Sequence, residues 1–227
     1  MNSPVPAANT AWIAAGVQHA VLTRTMPALR HELAGSVSVI RMGVAVLKRK
    51  IENSTDLVEK SALQQRVDAV DCSIADLSNS LRELRYWDRP TAEPIPSRTL
   101  LITAWELARP FLSMRGIALA ELPPESAAWP EQPTRAQPLL YLLLASMYHF
   151  AEGASQTPAS IHAELMDGSI RIVSEGVVAE GNAPHLLHND GPTGTPVIDA
   201  ASLRFLADHL HIPLRLKDDA SVVIPLP

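Results

Sequence analysis

The most regular feature of the chain is a pair of segments in which apolar residues recur at alternating spacings of three and four. In the first segment these residues are Leu33, Val37, Ile40, Val44, Leu47 and Ile51. In the second they are Leu63, Val67, Val70, Ile74, Leu77, Leu81 and Leu84. Such spacing keeps one apolar stripe along one side of a helix, as in coiled coils and helical bundles. The pattern therefore predicts two long helices over residues 26–87, and we call their apolar stripe the seam.

The stretch between the two segments predicts an antiparallel hairpin. Residues 52–56 offer a turn, and Asn53, Ser54 or Thr55 could cap the second helix. Two helices alone cannot bury both sides of their seam, and the rest of the chain contains no comparable pair of heptad segments. A homodimer in which two hairpins form a four-helix bundle is therefore expected.

Periodicity changes after a proline-rich stretch, which predicts a second domain. Residues 88–97 contain three prolines and should end the second helix. The sequence is thus expected to divide into an N-terminal arm or helix (1–25), the helical hairpin (26–88), a linker (89–97) and a second domain (98–227).

The second domain combines helical and strand patterns. Helices are predicted over 98–116, 138–153 and 198–211, and a strand is predicted over 117–122. Two strands joined at Asp167-Gly168 are predicted over 159–176, and a further hairpin closes the chain. The order indicates an α+β sandwich, a sheet covered on one face by helices. The predicted fold class is therefore a two-helix hairpin followed by an α/β sandwich.

Composition narrows the classes of function. The net charge of −5 argues against a nucleic-acid-binding protein. Cys72 is the only cysteine, so an intrachain disulfide is excluded and a reducing cytoplasm is the simplest location. The apolar stretch 11–22 is too short to span a bilayer, and no membrane anchor is expected. The histidines show no spacing typical of a metal site, so none is predicted.

The order of hairpin, proline-rich linker and sandwich resembles the core of a bacterial histidine kinase over about residues 26–227. HELAGSVSVIRMG (31–43) is similar to the H-box of that family. LLLASMYHFAEG (142–153) stands where the asparagine-rich N-box would be, and SIRIVSEG (169–176) stands where a strand leads into an Asp-x-Gly nucleotide motif. TGTPVIDAASLRFLADHL (193–210) stands where a glycine-rich loop enters a helix.

The resemblance also implies that the nucleotide site is degenerate. Leu142 and Ser146 align with the asparagines that would hold magnesium and phosphates, and Ser174 aligns with the aspartate that would pair with adenine. A leucine offers no oxygen ligand for magnesium. The second domain is therefore expected to bind no ATP, and autokinase activity is not expected.

A retained H-box beside a lost ATP site resembles the dimeric histidine phosphotransferases of bacterial phosphorelays. The resemblance implies that His31 accepts a phosphoryl group from a receiver-domain aspartate and passes it to another. Glu32 would orient the ring by binding its second nitrogen, although adjacent helix residues do not normally face each other. The implied partners are receiver domains of response regulators, among them that of a hybrid histidine kinase. No cofactor of its own is implied, since magnesium comes with the receiver.

Helix geometry places a docking surface around His31. Positions 31, 35, 38 and 42 share one face of the first helix, away from the seam, so His31 is expected to be exposed. An antiparallel hairpin sets His31 level with about residues 78–80 of the second helix. The candidate docking residues are Ala34, Gly35, Ser38, Met42, Ser78, Asn79 and Arg82.

Three alternatives remain open from the sequence. His31 could be an exposed helix histidine without function. The chain could be a pseudokinase scaffold that binds a response regulator or a kinase without phosphotransfer. It could also be a divergent ATP-dependent histidine kinase. Gly35 stands where the family's phosphatases carry Thr or Asn, so phosphatase activity is in doubt.

Overall fold

The computed structural model describes residues 7–52, 60–83, 87, 94–130, 132–178, 194–217 and 220–226. These residues belong to two compact units. One unit is Leu29–Arg89, and the other combines Met1–Ala28 with Pro90–Pro227. The sequence placed the boundaries of the hairpin at 25/26 and 88/89 and predicted residues 1–25 as a separate segment.

The Leu29–Arg89 unit is a helical hairpin. It contains the second part of α1, which runs as one helix from Ala7 to Glu52, and all of α2, Lys60–Glu83. Ser80 contacts Glu32, and Val70 faces Gly43. The α1 residue with the higher number thus contacts the α2 residue with the lower number, so the helices are antiparallel. The predicted turn from residue 53 onward and the seam residue Leu84 lie outside the described residues.

Seam residues fall into two rows that differ in burial. One row, spaced by seven residues on each helix, is partly buried and consists of Leu33, Ile40, Leu47, Leu63, Val70 and Leu77. The other row is between 42% and 60% exposed and consists of Val37, Val44, Ile51, Val67, Ile74 and Leu81. Half of the seam thus joins α1 to α2, and half is exposed in the single chain. We call the second set the outer row.

The first part of α1 belongs to the other unit. Ala14, Val17, Ala20 and Val21 are each at most 6% exposed. Val17 lies three residues after Ala14, and Ala20 and Val21 lie three and four residues after Val17, so the four residues form one buried stripe of the helix. The sequence left open whether the N-terminal segment is an arm or a helix. Residues 7–25 form a helix, which packs with the C-terminal half.

The C-terminal half forms a mixed α/β domain, as the sequence predicted. Its helices are α3 (Ser97–Ser113), α4 (Ala136–Glu152) and α5 (Ala200–Leu210). Its strands are β1 (Pro94–Ile95), β2 (Ala118–Leu119), β3 (Thr134–Arg135), β4 (Ser160–Met166), β5 (Ser169–Glu175), β6 (Arg215–Lys217) and β7 (Ser221–Pro225). β1 and β3 pair separately, and the other strands form a sheet in the order β2-β4-β5-β7-β6. β2 is parallel to β4, and the remaining pairs of that sheet are antiparallel.

One face of the five-stranded sheet is buried. Five residues of this face are fully buried: Ile161, Ile170, Ile172, Val222 and Ile224. The residues next to them along each strand point to the other face of the sheet, and most of them are more exposed. This alternation is that of a sheet packed on one side. Helix α4 is the most deeply buried helix of this domain, with every residue from Leu139 to Ala151 buried.

Candidate functional site

His31 lies on α1 in the hairpin unit and its side chain is exposed, as the seam predicted. A Cβ atom built at Gly35, one turn further along the helix, meets no described atom within 4 Å. An exposed imidazole with open space one turn away can be approached by another protein.

Glu32 is held by the second helix of the hairpin. The Ser80 hydroxyl donates a hydrogen bond to Glu32 Oε1 at 2.8 Å. This bond sets residue 80 level with residue 32, in line with the predicted position of His31 beside residues 78–80. Among the described residues, no hydrogen bond joins His31 to Glu32. The expected bond between the two is thus not formed, because adjacent helix positions diverge and Ser80 binds the carboxylate.

The candidate docking residues of α1 lie on one exposed surface. Ala34, Gly35, Ser38 and Met42 are exposed. The Ser38 hydroxyl donates to the Ala34 carbonyl at 2.8 Å, so it is satisfied within the helix. Because these residues carry no buried packing role, their side chains are available to a partner.

The candidate docking residues of α2 are more varied. Ser78 and Asn79 are exposed, and the Ser78 hydroxyl donates to the Ile74 carbonyl at 2.8 Å. The side chain of Arg82 lies outside the described residues. Ser80, which binds Glu32, was not singled out from the sequence. The sequence set it level with His31, within residues 78–80, but did not include it among the candidate docking residues.

A second feature missed from the sequence is an apolar stripe on the same flank of α1. Val39 is 58% exposed, Met42 is 70% exposed and Val46 is 39% exposed. Their spacings of three and four place them along one side of the helix. The signal was present, but these residues lie beside a stronger seam. We call Gly35, Ser38, Val39, Met42 and Val46 the His31 flank.

The positions aligned with the kinase N-box lie inside the C-terminal domain. Leu142 and Ser146 on α4 are both fully buried. The Ser146 hydroxyl donates to the Leu142 carbonyl at 2.6 Å, which satisfies it within the helix. Ser174 on β5 is partly buried, and its hydroxyl donates to the Ala220 carbonyl at 3.2 Å. The Leu142 side chain has no oxygen that could bind magnesium, and both serine hydroxyls donate to backbone carbonyls of the chain itself.

The chain itself covers the adjoining face of α4. His149 is 1% exposed, and its Nδ1 lies 3.1 Å from the carbonyl oxygen of Ile198, which is also 1% exposed. A Cβ atom at Gly153 would collide with the same carbonyl oxygen. The segment that enters α5 therefore packs directly on this end of α4, with glycine required for the close approach.

Asp199 fixes the start of α5 next to that contact. Its carboxylate accepts a hydrogen bond from the Ser202 backbone N–H at 2.7 Å, as an N-cap residue does. This backbone hydrogen bond, with one from the Ser202 side chain, holds the pKa of Asp199 below its ordinary value. The cap thus stabilises the helix start that follows Ile198.

A buried ionic cluster joins the N-terminal part of α1 to the same domain. Arg24 and Arg115 both bind the carboxylate of Glu152, and Arg115 Nη2 lies 3.0 Å from Glu152 Oε1. The Thr25 and Tyr148 hydroxyls lie 3.0 Å apart in the same region. Burial, as the largest cause, raises the pKa of Tyr148 above its ordinary value. Tyr148 is therefore a neutral core residue at physiological pH.

Neither a membrane span nor a metal cluster emerges from the described ranges. Within them, no helix has both the length and the apolar character needed to cross a bilayer. The same residues contain no group of three or more His, Cys, Asp or Glu side chains arranged for a metal ion.

Comparisons with known proteins return structures only. No protein-family profile matches the chain, and no curated protein matches it. The histidine kinase AdeS of Acinetobacter baumannii is 13% identical, with 86% of this chain and 95% of that chain covered and a TM-score of 0.37. A histidine kinase from Burkholderia phymatum STM815 is 17% identical, with 86% and 94% covered and a TM-score of 0.36.

Proposed function

We propose that this chain is a histidine phosphotransfer protein of a two-component phosphorelay, in which His31 carries the phosphoryl group and no ATP is bound. The observation that carries the proposal is the exposed His31 on a helical hairpin, beside an open and partly apolar flank. An idle surface histidine would not need such surroundings. Response-regulator receiver domains, including that of a hybrid histidine kinase, are the proposed partners.

The proposed step is an exchange of one bond for another. The lone pair of one His31 ring nitrogen attacks the phosphorus of a receiver's aspartyl phosphate. The N–P bond forms as the P–O bond to the aspartate breaks, and the carboxylate leaves with that electron pair. The reverse step regenerates His31 and phosphorylates a second receiver. Positioning dominates such transfers, so the chain's main contribution is to present the ring. The receiver would bring the magnesium.

The His31 flank supports docking of a receiver. Val39, Met42 and Val46 give an exposed apolar stripe, and apolar area of this kind is typical of the centre of a protein interface. Gly35 leaves room between His31 and the stripe. A partner helix could therefore lie along α1 and still bring its aspartate close to the imidazole.

The outer row supports a homodimer. Its residues recur every seventh position on both helices, and each is at least 42% exposed in the single chain. Water-exposed apolar rows on both helices of a hairpin complement those of a second copy, as in a four-helix bundle. A dimer would leave the His31 flank free, because positions 35, 38 and 42 are on a different side of α1 from positions 37, 44 and 51.

The face of α4 that carries Leu142 and Ser146, which we call the N-box face, is buried, and this burial supports transfer without ATP. Leu142 offers no oxygen, Ser146 is fully buried, and Ile198 packs on His149. A nucleotide would have to displace this packing and would still find no metal ligand at position 142. A phosphoryl donor other than ATP is therefore favoured.

The test is radiolabel transfer from two donors to the purified full chain. Receiver domains from the same organism, charged with labelled acetyl phosphate, should label the wild type and His19→Ala, but not His31→Ala. His19 is a matched control because it is also an exposed histidine of α1. Labelled ATP with magnesium should give no label.

The kinase and the scaffold alternatives each have their own outcome in this experiment. Transfer of label from ATP to His31 would identify a divergent kinase and overturn the proposal that the chain binds no ATP. Receiver binding that survives His31→Ala, without any transfer of label, would show a scaffold.

A further inference from the structure

The C-terminal unit contains a cavity that the proposed phosphotransfer does not use. The cavity measures about 560 Å³ and lies between the N-terminal part of α1, the end of α3 and the end of α4. Leu142, Ser146 and Ser174 do not line it. It therefore excludes the three positions that align with nucleotide-binding residues, although Ala151, Glu152, Thr195 and Val197 come from the stretches that align with the N-box and the glycine-rich loop. Its volume is typical of small-molecule pockets.

The lining divides into a charged end and an apolar wall. Arg24, Arg115 and Glu152 contribute the charged groups. Much of the rest is apolar and includes Pro27, Pro110, Phe111, Met114, Ala151 and Val197. Three threonines complete the lining, and one of them is Thr157. A ligand that suits this cavity needs a polar or charged end and an apolar body.

The charges at the polar end do not balance. Two guanidinium groups share the single carboxylate of Glu152. The Glu152 side chain is 11% exposed, and those of Arg24 and Arg115 are 6% and 15% exposed, so water screens the excess positive charge poorly. Within the described residues, this cluster of three groups therefore carries one uncompensated positive charge.

Arg115 bears most of this excess. Arg24 has more hydrogen-bond partners, since its guanidinium group also donates to the backbone oxygens of Ala20 and Pro196 at 2.8 and 2.9 Å. Arg115 Nη1 is buried and has no hydrogen-bond partner among the described residues. The guanidinium carbon lies 3.6 Å from the centroid of the Phe111 ring, which holds the group in place. Burial, more than any neighbour, lowers the pKa of Arg115.

We propose that this cavity binds a small amphipathic anion, whose carboxylate or phosphate group compensates Arg115 and whose apolar body lies along Pro110, Met114 and Val197. A negative charge beside two arginines in a weakly hydrated site is stabilised more than it would be in water. The apolar body supplies the burial that a free inorganic anion cannot supply. This site goes beyond the proposed phosphotransfer, and either proposal can fail without the other.

Calorimetric titration of the full chain tests the proposal with four probes. Octanoate and octyl phosphate each carry an apolar tail and an anionic group. Inorganic phosphate lacks the tail, and 1-octanol lacks the charge. Octanoate or octyl phosphate should bind at least tenfold more tightly than either control compound. The stronger of the two identifies the preferred anionic group.

Two substitutions assign the binding to the cavity. Arg115→Met should weaken binding of the better amphiphile at least tenfold, whereas Arg109→Met should leave it unchanged. Arg109 is the matched control because it is an exposed arginine of α3 outside the cavity lining. Met114→Trp fills the cavity and keeps both arginines, so it should also weaken binding at least tenfold. This second variant gives an answer even where Arg115→Met does not fold.

Two results would overturn the proposal. One is binding of neither amphiphile. The other is equal affinity in the wild type and Met114→Trp, which would place the amphiphile on exposed apolar surface such as the outer row.

Discussion

The His31 flank and the N-box face of α4 both stand where the histidine-kinase pattern would place chemistry, yet their surroundings are opposite. On the flank, Gly35 borders open space and Met42 is 70% exposed. On α4, Leu142 and Ser146 are fully buried and Ile198 packs against His149. The first surface is open to a partner, and the second is part of a core. Alignment to a motif therefore does not identify a site until the burial of its residues is known.

The difference follows from what each environment tolerates. Burying a leucine side chain contributes about 2 kcal/mol, whereas an unpaired buried amide costs about 1–3 kcal/mol. A closed α4 face thus favours leucine at position 142. The exposed flank imposes no such demand, so a polar histidine and a glycine are tolerated there.

The largest expected effect is on stability, from placing an asparagine on each surface. Leu142→Asn should lower the free energy of unfolding by about 3 kcal/mol, because it buries an amide and removes apolar volume. Val39→Asn should change it by less than about 0.5 kcal/mol, because Val39 is exposed. Urea unfolding followed by circular dichroism measures both. A neutral Leu142→Asn that also gains affinity for magnesium-ATP would contradict the closed face.

The next effect concerns the outer row and separates dimer formation from partner docking. Val44→Glu should weaken the dimer at least 30-fold, about 2 kcal/mol, because it places like charges in the proposed bundle core. Met42→Glu is the matched control, since Met42 lies on the His31 flank. It should leave the dimer intact and weaken receiver binding. Sedimentation velocity over a concentration series measures the first effect, and an unchanged dimer in Val44→Glu would refute the proposed bundle.

A smaller effect tests how the α4 face is closed by the start of α5. Asp199→Ala should cost about 1 kcal/mol near pH 7, because it removes an N-cap. The hydrogen bonds from Ser202 lower the pKa of Asp199 in the folded state, so the unfolded state binds more protons as the pH falls. The stabilisation is therefore present above the ordinary carboxyl pKa and is lost as the pH falls through the folded pKa.

Unfolding curves at several pH values check this dependence. The difference between wild type and Asp199→Ala should shrink as the pH falls below the ordinary carboxyl pKa. Asp199→Asn keeps an acceptor that does not titrate, so its cap should vary little with pH. A cost of Asp199→Ala that stays constant across this range would show that the carboxylate charge does not contribute.

The smallest effect compares two glycines of α1. Gly35→Ala should stabilise the hairpin by about 0.5–1 kcal/mol, since alanine is the better helix former and the added Cβ meets no described atom. Gly43→Ala should gain less, because its Cβ would lie 2.7 Å from Val70 Cγ2 and force a shift. Thermal unfolding measures both. If Gly35→Ala also slows phosphotransfer while it raises stability, the open space beside His31 is needed for docking.

Much of the fold follows from local patterns in the sequence. The seam predicted the second part of α1 and α2, and Asp167-Gly168 predicted the turn between β4 and β5, where the two residues have positive φ values of 40° and 71°. Each of these features depends on residues that are close together in the chain, so a short stretch of sequence is enough to predict it.

The remaining features depend on residues far apart in the chain. Arg24 meets Glu152 across 128 positions, and Glu32 meets Ser80 across 48. No periodicity encodes such pairs, so the packing of the N-terminal helix and the engagement of Glu32 were not predicted. The split of the seam into two rows also required the burial of each residue, because both rows are equally apolar in sequence.

The central claim is that His31 carries a phosphoryl group that it receives from a receiver aspartate. The most direct measurement is mass spectrometry at neutral pH of the full chain after incubation with a phosphorylated receiver domain, with the modified residue located by fragmentation. We expect one added phosphoryl group on His31, which is lost in acid and is transferred to a second receiver when one is supplied. An unmodified His31 with every receiver of the organism, or a phosphoryl group that arrives only from ATP, would contradict it.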